Sequence, residues 1–295
     1  KRSILMSEKT RIAYLHYRSY GDLVINLFCR KFYVIDSIDY VSFYLIDLFK
    51  LISDHSKDLV TLENINTKPA FINFKKSGFI ETIKSAKQLR QVFKKIKYEF
   101  PDHLIFQDYK RWQQDIYFNT FTYTPKQLKN VYISHLSFYQ NLGMKAKTPI
   151  SRDFKSDSII RIFPYSSSNH KNIKPGILRS VCDHLNFLKK PYEVIYLDDE
   201  KIFDFKHNYS KIPRTFGHLI AKLKYSSLNI SCDSLPAHLS SFYNIDTLVL
   251  ISEKSKYWLP LNSFSNKNYV TLESLQDGNL SNLFKMVDWN CLNKN

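Results

Sequence analysis

The sequence predicts an α/β protein of two doubly wound domains, each a parallel sheet with helices on both faces. Three observations lead there. The chain has 295 residues, long for one core and enough for two. It opens with a buried strand, a tight turn and an amphipathic helix between Ile12 and Phe32. After a polar, basic stretch at residues 143–157, an alternation of strands and helices starts again. That alternation is the pattern of a parallel sheet.

The elements follow in order. Ile12–Tyr17 (IAYLHY) reads as a buried strand. Arg18-Ser19-Tyr20-Gly21-Asp22 reads as the turn, and Leu23–Phe32 has apolar residues at helical spacing. Helices are expected over Asp39–Ser53, Thr82–Tyr98 and Lys126–Leu142, with Gly143 placed to cap the last. His103–Gln107 (HLIFQ) reads as a short strand. Residues 143–157 contain Pro149 and form the expected linker, dividing the chain into domains at 1–148 and 149–295. In the second domain, strands are expected at Ile159–Phe163, Tyr192–Leu197, Ser227–Ile230 and Thr247–Ile251. Helices are expected at Gly176–Leu188, Arg214–Leu223 and Ser234–Tyr243. A ligand crevice belongs at the carboxyl ends of such strands.

Composition excludes several classes. Hydrophobic residues make up 44%, with 22 Phe and 20 Tyr, so the chain is not disordered. Six Gly, ten Pro and no internal repeat argue against a solenoid. Cys29, Cys182, Cys232 and Cys291 lack CxxC or Cys/His metal spacing. Reduced thiols in a cytoplasmic protein are the simplest account. Charged first residues without a following apolar run predict no signal peptide, and Met6 is the expected natural start. The longest apolar stretch, Tyr40–Leu51, is too short to span a bilayer. Lys plus Arg is 43 against 27 Asp plus Glu, a formal charge of +16. This favours nucleic acid, an anionic membrane or phosphorylated substrates as partners, or reflects a genome rich in Lys codons.

Four segments carry candidate chemistry. Asp22 follows the first strand at the start of a helix, as a plain N-cap or as a general base. In Pro164–Lys174, the hydroxyls of Ser166 and Ser167 and the Lys171 ammonium suit phosphate oxygens, although a polar surface loop reads the same way. In Cys232-Asp233-Ser234-Leu235-Pro236-Ala237-His238, a strand runs into an Asp-Ser pair and a Pro that suits a first helical turn. Asp233 or Ser234 suits the cap, and the helix N-terminus suits an anion. His238, one turn in, is in reach of a phosphate or is a satisfied structural histidine. Asp199 and Glu200 end the strand Tyr192–Leu197, as ribose-binding carboxylates or as a solvated acidic turn.

Together these pieces resemble the family 9 glycosyltransferases, the bacterial lipopolysaccharide heptosyltransferases. The opening RIAYLHYRSYGDLVINLF is similar to that family's first strand and its Gly-Asp turn. CDSLPAHLSSFYNIDTLVLI is similar to its Asp-Ser/Thr-Gly-Pro-x-His-Leu signature and the strand after it. FPDHLIFQDYKRW and NVYISHLSFYQNLG resemble its acidic-flanked strand and the helix before its interdomain linker. The chain departs from the pattern at Leu235, where the signature has Gly, and at Ser252-Glu253-Lys254, where it has Gly-Pro-Thr.

The resemblance implies a GT-B fold: two Rossmann-like domains with parallel sheets facing an interdomain cleft, the last helix packing back on the first domain. It implies an inverting, metal-independent glycosyltransferase that needs no cofactor. Asp22 is then the catalytic base. Ser166, Ser167, Lys171, Asp233, Ser234, Leu235 and His238 hold the donor's diphosphate and sugar, and Glu200 or Asp199 the ribose. The implied partners are a nucleotide-sugar, by family default an ADP-sugar, and an anionic glycolipid or oligosaccharide acceptor. Peripheral contact with the inner membrane surface would explain the basic charge. No nucleic-acid partner is expected, because Phe and Tyr fall mainly in strands and on helical faces, as core. A non-catalytic scaffold of the same fold and a nucleotide-sugar epimerase are the remaining alternatives.

Overall fold

The structure, a computed structural model, describes residues 11–53, 58–65, 79–99, 104–107, 125–148, 157–265, 268–272 and 275. Strand β1 (Ile12–His16) is buried at all five positions. A strand buried on both faces needs neighbours on each side and helices above and below. It has β2 (Ser37–Ser42) on one side, with β3 (Leu59–Leu62) beyond it, and β4 (Leu104–Gln107) on the other. All three pairings are parallel, with Ile12 opposite Ser37 and Leu104. The order β3-β2-β1-β4 reverses direction between β1 and β4.

The first helices are α1 (Tyr20–Arg30), α2 (Ile46–Ile52), α3 (Phe79–Glu99) and α4 (Val131–Asn141). Alternate residues of β1 face opposite sides of the sheet. Ala13, Leu15 and Tyr17 pack with Leu89, Phe93 and Ile96 of α3. α4 ends as its sequence predicts: Gly143 has φ +71° and Met144 N–H returns to the Tyr139 carbonyl at 3.2 Å. A side chain added at Gly143 meets nothing within 4 Å, so its cost is conformational alone. Gly143→Ala is therefore expected to lower stability by about 1 kcal/mol, a drop of a few degrees in melting temperature.

A second parallel sheet has the order β10-β9-β8-β5-β6-β7. Its strands are β5 (Ile160–Phe163), β6 (Tyr192–Leu197), β7 (Tyr209–Ile212), β8 (Leu228–Cys232), β9 (Thr247–Ile251) and β10 (Tyr269–Thr271). The chain runs from β5 outward to β7, then crosses back to β8 on the other side of β5. Its order thus reverses between β5 and β8. The helices here are α5 (Pro175–Phe187), α6 (Phe216–Lys224), α7 (Leu235–Phe242) and α8 (Leu261–Ser265). Ile160, Ile162, Val194, Ile230 and Leu250 of the strands pack against Leu178, Val181 and Leu185 of α5.

The chain divides into two compact units, Lys1–Leu128 with Ser134–Ile150 and Lys129–Ile133 with Ser151–Asn295. The division passes through the start of α4. The helix expected at the end of the chain falls outside the described residues, as do Cys291 and most of FPDHLIFQDYKRW.

One expected element is corrected. Asp39–Ser53 is not a single helix: Ser37–Ser42 is a strand, Phe43–Leu45 a 3-10 turn, and only Ile46–Ile52 an α-helix. Periodicity alone does not separate a short apolar strand from a buried helical segment. Pairing with β1 decides it. The structure adds β3, β7 and β10, strands of three or four residues at or near the sheet edges, too short to show a pattern. Cys29, Cys182 and Cys232 are buried and none is in a disulfide among the described residues, and burial pushes the Cys232 thiol up to about 12.

Candidate functional site

Asp22 stands at the carboxyl end of β1, where the strand order of its sheet reverses. It is not the N-cap. Ser19 takes that position in extended conformation and its hydroxyl accepts the Asp22 N–H at 3.2 Å. The same hydroxyl donates to Asp22 Oδ2 at 2.7 Å, and Arg18 Nε donates to that oxygen at 3.4 Å. Among the described residues, Oδ1 accepts no hydrogen bond. The carboxylate is 11% exposed, so it is held in place yet still reachable. Its position in the first helical turn suits its negative charge.

The turn is braced from below. The Tyr44 hydroxyl lies 2.8 Å from the Tyr17 carbonyl and 2.7 Å from the Arg18 carbonyl, and donates to this pair. Burial, and then the nearby Asp22 charge, push the Tyr44 phenol well above its ordinary pKa, so it remains a donor. Tyr20 in turn donates to the Tyr44 carbonyl at 3.1 Å.

Behind this turn lies a buried ionic group that the sequence reading missed. Arg30 donates to both oxygens of Asp39, at 2.6 and 3.1 Å, and to Ser37 Oγ at 2.7 Å. His16 Nε2 lies 2.9 Å from Asp39 Oδ1. The Arg30 guanidinium also sits 4.1 Å from the centre of the Tyr14 ring. Burial holds the His16 imidazole below its ordinary pKa, and the Arg30 charge adds to this. The Asp39 carboxylate can only accept, so a neutral imidazole there would donate Nε2–H to it. Burial alone would raise the Asp39 carboxyl, but Arg30 and His16 outweigh that and hold it far below the usual range.

In the second unit, the loop after β5 meets the loop after β8 at the reversal of strand order. Lys171 Nζ pairs with Asp233 Oδ2 at 2.5 Å. Ser166 Oγ reaches the Asp233 carbonyl at 3.5 Å, and Ser166 N–H is fixed by Asn172 Oδ1 at 2.8 Å. Ser167 stays exposed on this loop. Asp233 is thus the counter-ion of Lys171 and not a cap. Ser234 holds the N-cap position of α7, but its hydroxyl turns back to the Cys232 carbonyl at 3.1 Å. The Ser234 side chain caps no N–H of the first turn, where Pro236 has no N–H and the Ala237 N–H donates to the Ser234 carbonyl at 3.1 Å.

His238 is buried, and its Nδ1 lies 2.9 Å from the Tyr132 hydroxyl. Tyr132 is held by Asn130, whose Oδ1 accepts the Tyr132 N–H at 2.9 Å while its amide donates to the Leu259 carbonyl at 2.9 Å. Neither Asn130 nor Tyr132 is legible as a site residue, because nothing local marks them. Glu200 folds back to accept the Leu197 N–H at 2.8 Å, and burial raises its pKa. Asp199 is exposed and paired with Arg214 at 2.6 Å. The two acidic residues therefore end β6 as a braced turn, with Glu200 the half-buried member. Among the described residues, no three His, Cys, Asp or Glu side chains are grouped to hold a metal ion.

No protein-family model matches the sequence, and no curated protein does. Solved structures do match. The glycosyl transferase family 9 from Veillonella parvula DSM 2008 superposes with a TM-score of 0.60 at 12% identity, over 93% of each chain. E. coli ADP-heptose lps heptosyltransferase II gives 0.59 at 11% identity, over 96% of this chain and 98% of that one. E. coli heptosyltransferase WaaC with ADP-2-deoxy-2-fluoro heptose gives 0.57 at 9%, over 94% and 99%.

The fold is GT-B. Identities of 9 to 12% carry the fold and not the chemistry. The GT-B expectation taken from the sequence resemblance holds for both sheets. In GT-B terms, Asp22 lies at the first sheet's switch point, and Ser166, Lys171, Asp233 and Ser234 lie at the second's. Such points are where ligands of doubly wound sheets bind.

Proposed function

We propose that the chain is an inverting, metal-independent glycosyltransferase that moves a sugar from a nucleotide-sugar to a cell-surface glycan acceptor. One observation carries the reading. Lys171, Ser166 and the N-terminus of α7 converge at one switch point, while a braced carboxylate stands at the other. The first set suits a diphosphate and the second suits a proton acceptor. Asp22 would take the proton of an acceptor hydroxyl. That oxygen attacks the anomeric carbon as the bond to the diphosphate breaks, and the diphosphate leaves with the bonding electrons. A single displacement inverts the anomeric centre. Lys171 and the α7 N–H groups would take up the charge on the leaving diphosphate, the task a metal performs elsewhere. His238 and Asp233 would face the sugar-diphosphate, and Glu200 the ribose. ADP-heptose is the default donor. A lipopolysaccharide precursor or other anionic glycolipid, met at the cytoplasmic face of the membrane, is the default acceptor.

Melting curves with ADP, UDP, GDP and CMP, each with and without EDTA, test the donor site. A ligand at 100 times its dissociation constant adds about 2.7 kcal/mol. A shift with one nucleotide that survives EDTA is expected. No shift with any of them would refute the diphosphate site and favour the scaffold. Lys171→Met is expected to weaken that nucleotide about 10- to 100-fold, since a charge-assisted hydrogen bond contributes about 1.5–3 kcal/mol. Isothermal titration measures it. An unchanged affinity would leave Lys171 as the structural partner of Asp233 only.

A further inference from the structure

Helix α7 is fixed in rotation on its sheet. Asn229 of β8 donates its amide to Ser240 Oγ at 2.9 Å, and that hydroxyl donates to the Pro236 carbonyl at 2.8 Å. Every residue from Pro236 to Phe242 is buried. The helix cannot roll without breaking these bonds, so the direction of its side chains is set.

His238 is then held by a second chain of contacts. Its Nδ1 lies 2.9 Å from the Tyr132 hydroxyl, and the two ring centres are 6.1 Å apart. Tyr132 is fully buried. Asn130 Oδ1 accepts the Tyr132 N–H at 2.9 Å and the Ile133 N–H at 3.5 Å, so Asn130 caps the start of α4. The Asn130 amide donates to the Leu259 carbonyl at 2.9 Å, and the Leu259 side chain packs with Ala237, the neighbour of His238. The chain of contacts thus returns to α7. Asn130, Tyr132, Leu259 and His238 all belong to the second unit. A Phe at position 132 would fill the space beside the imidazole equally well. What the hydroxyl adds there is a bond to Nδ1.

A buried phenol places its hydrogen on an acceptor, and the lone pair of an imidazole nitrogen is one. The ring then carries its own hydrogen on the other nitrogen, because the partner of one nitrogen decides which of the two is protonated. We infer that Tyr132 is a positioning residue that holds His238 in the neutral Nε2–H form, so that the imidazole serves the donor's diphosphate as a hydrogen-bond donor and not as a base. This rests on the glycosyltransferase reading above and gives His238 a definite role within it. With Nδ1 committed to Tyr132, contact with a diphosphate oxygen goes through Nε2. Negative charge on the diphosphate grows as the anomeric bond breaks, and a preoriented N–H stabilises that charge without giving up its proton. In the opposite tautomer Nε2 would turn a lone pair toward an anion, and the two would repel.

The test has two arms, both on the full chain. The first needs no ligand. With isotopically labelled histidine, proton–nitrogen correlation spectra show which ring nitrogen carries the hydrogen in each of the nine histidines. The pattern lost in His238→Gln belongs to His238. It is expected to be the Nε2–H form, with Nδ1 unprotonated and shifted by a hydrogen bond that Tyr132→Phe removes. An Nδ1–H ring, a doubly protonated ring at neutral pH, or a pattern unchanged by Tyr132→Phe would each overturn the assignment. The protonation pattern is read on the wild type, so it decides even where a variant folds poorly.

The second arm is a double-mutant cycle, read by isothermal titration with whichever of ADP, UDP, GDP and CMP raises the wild-type melting temperature. Gln at position 238 keeps an N–H near the place of Nε2–H and has no atom at the place of Nδ1. Tyr132→Phe alone is expected to weaken the nucleotide about 3- to 10-fold, the contribution of one neutral hydrogen bond. In the His238→Gln background the same change is expected to cost less than about twofold. A Tyr132 that only supports the fold would cost the same in both backgrounds. Equal losses, or no loss in either, overturn the proposal alone if the wild type binds nucleotide. A wild type that none of the four nucleotides stabilises overturns the glycosyltransferase reading and this proposal with it.

Discussion

Asp22→Asn is expected to lower the turnover number for sugar transfer by roughly 10²- to 10⁴-fold, the usual contribution of a positioned general base. The amide is close in size and still accepts the Ser19 hydroxyl, so the turn should survive. Donor affinity should not change, because the residues assigned to the diphosphate all lie in the other unit. The loss should therefore appear in turnover and not in the nucleotide dissociation constant. Quantifying transferred sugar in single-turnover assays with matched nucleotide titrations checks both halves. The rival outcome is equally definite. A variant with normal turnover and a slightly lower melting temperature would make Asp22 only a favourable charge in the first turn of α1, worth about 0.3–1 kcal/mol. A variant inactive because it no longer binds nucleotide would place Asp22 in the donor site.

Asp39→Asn is expected to have the largest effect on stability, a loss of about 3–5 kcal/mol. Arg30 is 2% exposed and Asp39 1%, so removing the carboxylate charge strands a buried guanidinium. A change of this size corresponds to a fall on the order of 10 °C in melting temperature. The same group makes the fold acid-sensitive. His16 titrates lower in the folded state than in the unfolded chain, so the unfolded state binds the proton first. Stability is full above the ordinary histidine value of 6.5 and falls as pH drops from there toward the lowered value. Asp39 also titrates low when folded. Its contribution is present above the ordinary aspartate range and is lost as pH falls through the depressed value. Both push in one direction, so melting temperatures should decline from about pH 6.5 downward. His16→Gln should flatten the upper part of that decline. A melting temperature that is flat between neutrality and pH 5 would remove His16 from the account.

Much of the architecture was legible because it rests on local rules. The strand–turn–helix at Ile12–Phe32, the Pro in the first turn of α7 and Gly143 at the end of α4 each follow from backbone geometry that a few neighbouring residues impose. The alternation after residue 157 pointed to a parallel sheet, and the resemblance at Asp22 and at Asp233–His238 pointed to GT-B. The failures have two causes. Asp39–Ser53 was misread because the segment's apolar spacing fits a helix as well as a strand, and only hydrogen bonding to β1 separates them. The strands β3, β7 and β10 are too short to carry a period.

The sequence by itself determined the class of fold, where its strands turn into helices, and which turns carry a carboxylate, hydroxyls or a lysine. These depend on interactions within a few residues. Only the tertiary structure decided what those groups do to each other. It set Lys171 against Asp233, 62 positions away, and His238 against Tyr132, 106 positions away. It closed Arg30 and His16 on Asp39 inside the first unit. It made Ser19 the cap and, among the described residues, left one Asp22 oxygen without a hydrogen bond. Such pairings arise when parallel strands and the helices packed on them bring distant segments together, and no local pattern encodes which segment will lie opposite which.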